Sequence, residues 1–299
     1  MSRYATLLVE VTAGVAVVRL NRPDRRNAFD PAMLDELHRC FADLEGDDDV
    51  RAIVVTGVGD VFSAGTDLSG GASALTATDG SAERPEWIRP WTMRTPIIAA
   101  MNGPAVGIGL TLPMTWDIRF AAAGARYGFV FNQRGVLPEW GSLWLVPRLV
   151  GLSRCFDLLL SGRYFDGWEA AERGLVTAAL PADEVLLAAL AVAGDIATAN
   201  PLSVGLTKTL VHEFLAEPVR EAAYRREQAA FSWAGHRRGR AGGRGRLPRE
   251  AATAVDGVEA HTVAGHLRRC PGVHAPYADA PLAGEHDPGD RRGPADDGC

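Results

Sequence analysis

Cysteine is scarce in this chain of 299 residues, and long apolar runs are missing from it. The four cysteines, Cys40, Cys155, Cys270 and Cys299, lie far apart and form no C-x-x-C pair, which argues against a disulfide framework and a zinc site. No apolar run reaches the roughly 18 residues that a membrane-spanning helix needs, and the first residues lack a signal-peptide pattern. We therefore expect a cytoplasmic protein with no metal site and no membrane contact.

A basic surplus is also missing. The chain has 31 basic and 37 acidic side chains, which give a formal charge of −6. Because phosphate binding requires a basic surface, we expect no nucleic acid as a partner. Lysine occurs once, as Lys208, and all other basic side chains are arginine. With 47% apolar and 23% charged residues, the composition is ordinary for a globular enzyme.

The composition changes near residue 235. Residues 236–299 contain no Ile, Phe, Met or Trp, and so little apolar surface cannot offset the entropy of ordering a chain. We therefore predict a folded part over residues 1–235 and a disordered tail over residues 236–299. The Gly-interleaved arginines from Arg237 to Arg249 leave an RNA-binding or phosphate-binding arm as the alternative.

Strand and helix patterns alternate in the first part of the chain. Two β-branched runs, Leu7 to Val11 and Val15 to Leu20, flank a Gly-containing turn and predict a hairpin. Asp30 followed by Pro31 is typical of a helix start. Further strands alternate with helices, and beyond Glu139 most segments are helical. This order predicts an α/β fold with a largely parallel sheet, followed by a helical C-terminal part.

Two loops share one design, in which a strand runs into small residues and then into a helix. They cover residues 62–68 and 102–109. Such turns leave backbone N–H groups unpaired at a helix N-terminus, where the helix dipole favours negative charge. Two of them facing one point would form an oxyanion hole for a carbonyl oxygen. The alternative is that the glycines only permit tight turns and packing; neither loop matches a nucleotide-binding motif.

Five short segments carry a family resemblance. They are Asn21-Arg22-Pro23 with Arg26-Asn27-Ala28, residues 62–68, residues 102–109, Asp117-Ile118, and Leu137-Pro138-Glu139 with residues 147–151. In this order, and over about residues 5–235, they resemble the enoyl-CoA hydratase/isomerase (crotonase) family. The resemblance implies a crotonase-like spiral of ββα units over residues 1–200. It also implies a helical part over residues 201–235 that forms a homotrimer or hexamer.

The same resemblance implies an acyl-CoA thioester as substrate. Coenzyme A is then part of the substrate, and no separate cofactor is expected. The thioester oxygen would be held by the backbone N–H groups of Thr66 and Ile108. The positions that match CoA contacts in the family are Arg26, Asn27, Ala28, Ala64 and Asp67, with a helix cap as the alternative role of Asp67.

The reactions of this family differ in the carboxylates that they require. Its hydratases use two glutamates, whose matching positions here are Thr111 and Phe131, and neither side chain can transfer a proton. Glu139 instead resembles the acidic position of members that shift a double bond with one acid/base group. We expect Trp140 and Trp144 to surround its carboxylate and raise its pKa. The alternative is an exposed Glu139 that is stabilised at a helix N-terminus.

The predicted function is therefore double-bond isomerisation of an enoyl-CoA through Glu139. The alternatives are a hydratase in which Glu139 positions water, a non-catalytic CoA-binding paralogue, and thioester hydrolysis or C–C cleavage. Residues 69–91 are interpreted as a lid that sets acyl specificity. We expect a substrate pocket lined by Trp87, Trp91, Phe131, Trp140 and Trp144, whereas His38 and His212 are predicted to be surface or packing residues.

The tail prompts one hypothesis about the gene. One possible coding of residues 247–257, read one base out of frame, encodes an ending that resembles the family's own. We therefore hypothesise a frameshift at about Gly235, so that residues 236–299 would be a frameshift product. The nucleotide sequence decides this hypothesis.

Overall fold

The first two strands form the predicted hairpin. A computed structural model describes residues 3–70 and 87–238, and in it β1 (Leu7–Thr12) pairs antiparallel with β2 (Val15–Leu20). Ala13 and Gly14 between them have φ angles of 50° and 83°. Two consecutive positive φ angles match the right-handed twist of the flanking strands, which is why a two-residue turn can close this hairpin.

A largely parallel sheet forms the centre of the fold, as predicted. Its strand order is β1-β2-β3-β4-β6-β9, and every pairing after the hairpin is parallel. The strands that follow the hairpin in this sheet are buried runs of apolar and small residues because helices cover the sheet. They are β3 (Ala52–Gly57), β4 (Ile97–Met101), β6 (Ile118–Ala122) and β9 (Ala178–Leu180).

A second, smaller sheet gives the chain its spiral course. It contains β5 (Ala105–Val106), β7 (Tyr127–Gly128) and β8 (Tyr164–Phe165), in the order β5-β7-β8. The chain passes from β4 in the large sheet to β5 in the small sheet, and then from β6 to β7 in the same way. This alternation is the expected spiral of ββα units.

The helices lie near the predicted positions. Asp30 caps the first helix, since its Oδ1 accepts a hydrogen bond from the Met33 N–H at 2.8 Å, and Pro31 occupies the first helical position. The helices are α1 (Pro31–Glu45), α2 (Ile108–Met114), α3 (Ser142–Val150), α4 (Leu152–Ser161), α5 (Gly167–Glu172), α6 (Ala182–Thr198), α7 (Pro201–Phe214) and α8 (Arg220–Arg238). The helical C-terminal part is therefore present.

A buried ion pair ties α7 to the sheet. Lys208 Nζ donates to Asp117 Oδ2 at 2.7 Å and to the Thr95 carbonyl oxygen at 3.0 Å, and Lys208 is only 8% exposed. Burial alone raises the pKa of the Asp117 carboxyl, but His212 and Lys208 more than offset this effect and hold that pKa below its usual value. His212 is thus a packing residue, as predicted, and Asp117 is a buried acceptor that binds α7 to the sheet.

Three expectations fall partly or wholly outside the described residues. The predicted tail over residues 236–299, with its frameshift hypothesis, lies almost wholly beyond the last described residue, and most of the predicted lid falls within residues 71–86.

Within the described ranges, no single helix is long and apolar enough to cross a membrane, although α6 and α7 pass that test as a pair bent by 113°. Those ranges also hold no group of three or more potential metal ligands.

Candidate active site

The two glycine-containing loops pair with each other in the structure. The Ser63 N–H donates to the Pro104 carbonyl oxygen at 3.1 Å, and the Val106 N–H donates back to the Ser63 carbonyl oxygen at 3.1 Å. Ser63 and Ala105 thereby form a short parallel bridge. The sequence prediction that these loops meet at one place is consistent with this geometry.

Glycine is required where the loops touch. A Cβ on Gly65 would lie 2.8 Å from the Val106 carbonyl oxygen, and a Cβ on Gly109 would lie 2.7 Å from the Ser63 carbonyl oxygen. Gly65 also has a φ of +95°, which side chains rarely tolerate. The packing role considered for these glycines is therefore present in the structure.

Several backbone N–H groups on these loops have no acceptor among the described residues, and those of Thr66 and Ile108 are two of them. The flanking N–H groups of Gly65, Asp67 and Gly107, in contrast, are all bonded within the protein. Ile108 is the first residue of α2, where the helix itself offers no acceptor. The family resemblance assigned these two donors to an oxyanion hole, and that role stays a prediction.

Neither of the two positions used by hydratases carries a carboxylate. Phe131 is buried, and its ring Cζ lies 4.0 Å from where a Cβ on Gly107 would stand. Thr111 on α2 is fully buried, and its hydroxyl has no hydrogen-bond partner among residues 3–70 and 87–238. An aromatic ring therefore lies against the second loop, and the pocket role of Phe131 stays a prediction.

Glu139 provides an acidic group with an altered environment. It follows Pro138, just before α3, and is half-buried. Its carboxylate has no hydrogen-bond or ion-pair partner within the described ranges, and burial raises its pKa above the ordinary value. The fully exposed alternative is therefore not what the structure shows.

The two tryptophans predicted around Glu139 differ in their surroundings. Trp140 is half-buried, but Trp144 is exposed and packs against Arg148, whose Cζ lies 3.8 Å from the indole ring. Trp140 precedes the first helical residue of α3, Ser142, whereas Trp144 lies within that helix. That both surround the Glu139 carboxylate stays a prediction.

An aromatic cluster that the sequence did not reveal lies next to Glu139. Its members are His38, Trp87 and Trp140, with ring centroids 4.3 Å apart for His38 and Trp87 and 5.5 Å apart for His38 and Trp140. His38 is only 2% exposed, so its predicted packing role is correct. Burial lowers its pKa to about 4, and the imidazole is therefore neutral near pH 7.

The residues matched to CoA contacts fall into two groups. Arg26 and Ala64 are exposed and adjacent, since the Ala64 N–H donates to the Arg26 carbonyl oxygen at 3.0 Å. The other three, Asn27, Ala28 and Asp67, are buried or half-buried.

The polar side chains of this second group form hydrogen bonds and an ion pair within the protein. The Asn27 side chain donates to the Val58 and Val61 carbonyl oxygens at 2.9 and 2.8 Å. Asp67 forms a 2.9 Å ion pair with Arg22. The hydrogen bond from Ser69, followed by Arg22, lowers its pKa to about 2. Trp91, another predicted pocket residue, is exposed.

Backbone N–H groups without acceptors on two paired loops, as at Thr66 and Ile108, and an unpartnered carboxylate, as at Glu139, are the groups that one class of site combines. Such a site stabilises negative charge on a carbonyl oxygen while an acid/base group moves a proton. The family model for enoyl-CoA hydratase/isomerase matches residues 10–245. The chain belongs to this family, and the predicted crotonase-like fold and family resemblance are confirmed.

Similar proteins include named hydratases and a named isomerase. The probable enoyl-CoA hydratase EchA14 of Mycobacterium tuberculosis is 37% identical over 73% of this chain and 85% of its own length. The 1,2-epoxyphenylacetyl-CoA isomerase of Escherichia coli is 32% identical over 69% of this chain and 81% of its own. The crystal structure of a probable enoyl-CoA hydratase/isomerase from Mycobacterium abscessus has a TM-score of 0.71 and 37% identity. It covers 79% of this chain and 91% of its own.

Proposed function

We propose that the protein moves the double bond of a 3-enoyl-CoA to the 2-position, with Glu139 as the acid/base group. The observation that supports the proposal is which of the candidate positions carries a carboxylate. Thr111 and Phe131 stand where hydratases of the family carry glutamates, whereas Glu139 is half-buried, unpartnered within the described ranges and raised in pKa. One acid/base group suffices for an isomerisation, because the proton that is removed is also returned.

The proposed reaction begins when the thioester oxygen accepts hydrogen bonds from the Thr66 and Ile108 N–H groups. Glu139 removes a proton from C2, and the electron pair of that C–H bond moves into a dienolate whose negative oxygen is held by the two donors. Glu139 then returns the proton to C4, and the double bond lies between C2 and C3. A raised carboxyl pKa suits a group that accepts and donates the same proton near neutral pH.

A hydratase is the second candidate, and the relatives named as hydratases favour it. In that reaction Glu139 would position a water molecule for addition to a 2-enoyl-CoA. The same carboxylate would then also have to protonate C2, since Thr111 and Phe131 cannot. In the isomerisation Glu139 returns the proton that it has removed, and no water molecule has to be held beside it.

The two candidates differ in product mass. Purified protein is incubated separately with 3-hexenoyl-CoA and 2-hexenoyl-CoA, and the products are separated by chromatography and weighed by mass spectrometry. We expect conversion of the 3-enoyl to the 2-enoyl thioester without a change in mass. Gain of one water on the 2-enoyl thioester alone would favour the hydratase, and binding without turnover of either would favour a non-catalytic paralogue.

We also propose that the protein self-associates as a homotrimer or hexamer, and that one face of α4 belongs to the interface in addition to the helical part over residues 201–235. Leu152, Phe156 and Leu160 recur every four residues on this helix, and each is more than half exposed. Leu158 and Leu159 of the same helix are buried in the core. A helix that is apolar on two faces is typically buried on both, and a second copy of the chain would cover the open one.

Light scattering after gel filtration tests the self-association. We expect a mass of three or six chains of 31.9 kDa, and a fall towards one chain in Phe156→Glu because the interface cannot bury a charge. Leu187→Glu, which changes an exposed leucine of α6, is the matched control and should leave the mass unchanged. A monomeric wild type would contradict the proposal.

A further inference from the structure

Glu139 begins a tight turn with an unusual occupant. The Ser142 N–H donates to the Glu139 carbonyl oxygen at 3.1 Å, and the two residues between them, Trp140 and Gly141, have φ angles of 58° and 71°. This hydrogen bond with two positive φ angles is typical of a type I′ turn. Its first central position normally holds Asn, Asp or Gly, because a bulky side chain is strained in the left-handed region.

The strained tryptophan is held by its ring contacts. The Trp140 indole lies 5.5 Å from the His38 ring and 5.7 Å from the Trp87 ring, with interplanar angles of 19° and 14°. Its Nε1 is buried and finds no hydrogen-bond partner in the described part of the chain. Packing against the two rings, rather than a hydrogen bond, therefore keeps the indole in place, and a strained residue persists only where its surroundings determine it.

The other two rings are anchored to α1. The Nδ1 atom of His38 lies 3.0 Å from the Ile88 carbonyl oxygen, and Trp87 Nε1 donates to Asp35 Oδ1 at 3.0 Å. Asp35 and His38 both belong to α1. A continuous set of contacts thus connects a core helix, through the aromatic cluster, to the turn that carries Glu139.

We propose that His38, Trp87 and Trp140 are positioning residues, whose stacking holds the turn at residues 139–142 in its left-handed form and so fixes the direction of the Glu139 carboxylate. The proposal rests on the proposed function of Glu139 and adds to it. Without the stack, Trp140 would leave the left-handed region and the turn would change type. Misplacement of a reacting group by about 1 Å can reduce turnover by about 100-fold.

Substitutions at two positions separate stacking from other roles, with kcat and KM measured on 3-hexenoyl-CoA. His38→Ala removes the ring under Trp140, and we expect kcat to fall about 10- to 100-fold with little change in KM. His38→Phe keeps a stacking ring and should retain kcat within about threefold. Glycine adopts a positive φ without a stacking partner, so Trp140→Gly keeps the turn when the His38 ring is absent. The double variant His38→Ala/Trp140→Gly should therefore have the same kcat as Trp140→Gly alone.

Three results would overturn the positioning role. They are an unchanged kcat in His38→Ala, an equal loss in His38→Ala and His38→Phe, or a double variant no better than His38→Ala. If the wild type has no isomerase activity, the proposed function fails on its own, and a ¹³C NMR titration of the Glu139 carboxyl, assigned with Glu139→Gln, decides the positioning. In that titration we expect the midpoint pH of the Glu139 carboxyl to be raised in the wild type and in His38→Phe, and to be lower in His38→Ala. Equal midpoint pH values in the three proteins would contradict the proposal.

Discussion

Glu139→Gln is expected to lower kcat for conversion of 3-hexenoyl-CoA by about 1,000-fold, because general acid/base groups typically contribute 10²- to 10⁴-fold. The KM should change little, since the thioester oxygen is bound by the backbone N–H groups of Thr66 and Ile108. Steady-state kinetics measure both constants. The control is Glu184→Gln, which removes an exposed carboxylate at the first turn of α6 and should leave kcat unchanged.

Glu139→Gln also has an expected effect on thermal stability, and this effect shows that the variant is folded. Burial raises the pKa of Glu139 in the folded protein, so folding favours the protonated form. The wild type therefore loses stability as the pH rises from about 4.5, the value in the unfolded chain, through the raised value. Glu139→Gln should raise Tm by a few degrees at pH 7, roughly 1–4 °C, and the gain should vanish below pH 4.5. A variant with full activity, or one with lower Tm at pH 7, would contradict the assignment.

Lys208→Met is expected to have the largest effect on stability. It leaves the Asp117 carboxylate buried without its 2.7 Å partner, and breaking a buried ion pair in this way typically costs about 3–5 kcal/mol. For a folded part of this size, the loss corresponds to a fall in Tm of roughly 10 °C. Thermal unfolding followed by circular dichroism at pH 7 measures it.

Two further variants show whether the loss comes from the unpaired charge. Adding Asp117→Asn to Lys208→Met should recover part of the lost Tm, because a neutral amide can still accept the bond from the Ile97 N–H. Arg225→Met removes one partner of an exposed pair with Glu221 and should cost less than about 1 kcal/mol. Equal losses in Lys208→Met and Arg225→Met would mean that the buried pair contributes little.

Local sequence patterns predict the framework of this molecule because they depend on neighbouring residues. The hairpin and the capped start of α1 follow from turn residues and caps. The unpaired N–H group of Ile108 also follows, since the first residues of a helix leave such donors in any context. The assignment of Thr66 and Ile108 to an oxyanion hole required the family resemblance.

The aromatic cluster could not be predicted in this way. His38, Trp87 and Trp140 are about 50 residues apart and belong to a helix, a loop and a turn, so no periodicity connects them. A tryptophan at a positive φ even contradicts turn preferences. Such local conflicts with preference are expected at functional sites, where tertiary contacts determine the backbone.

The buried ion pair of α7 also determines how the protein can be labelled. Lys208 is the only lysine, and its amine is enclosed between Asp117 and the Thr95 carbonyl oxygen. Reagents that acylate lysine amines therefore find no accessible lysine on the folded chain. Lysine acetylation, for the same reason, is not available as a means of altering the surface charge of the folded protein.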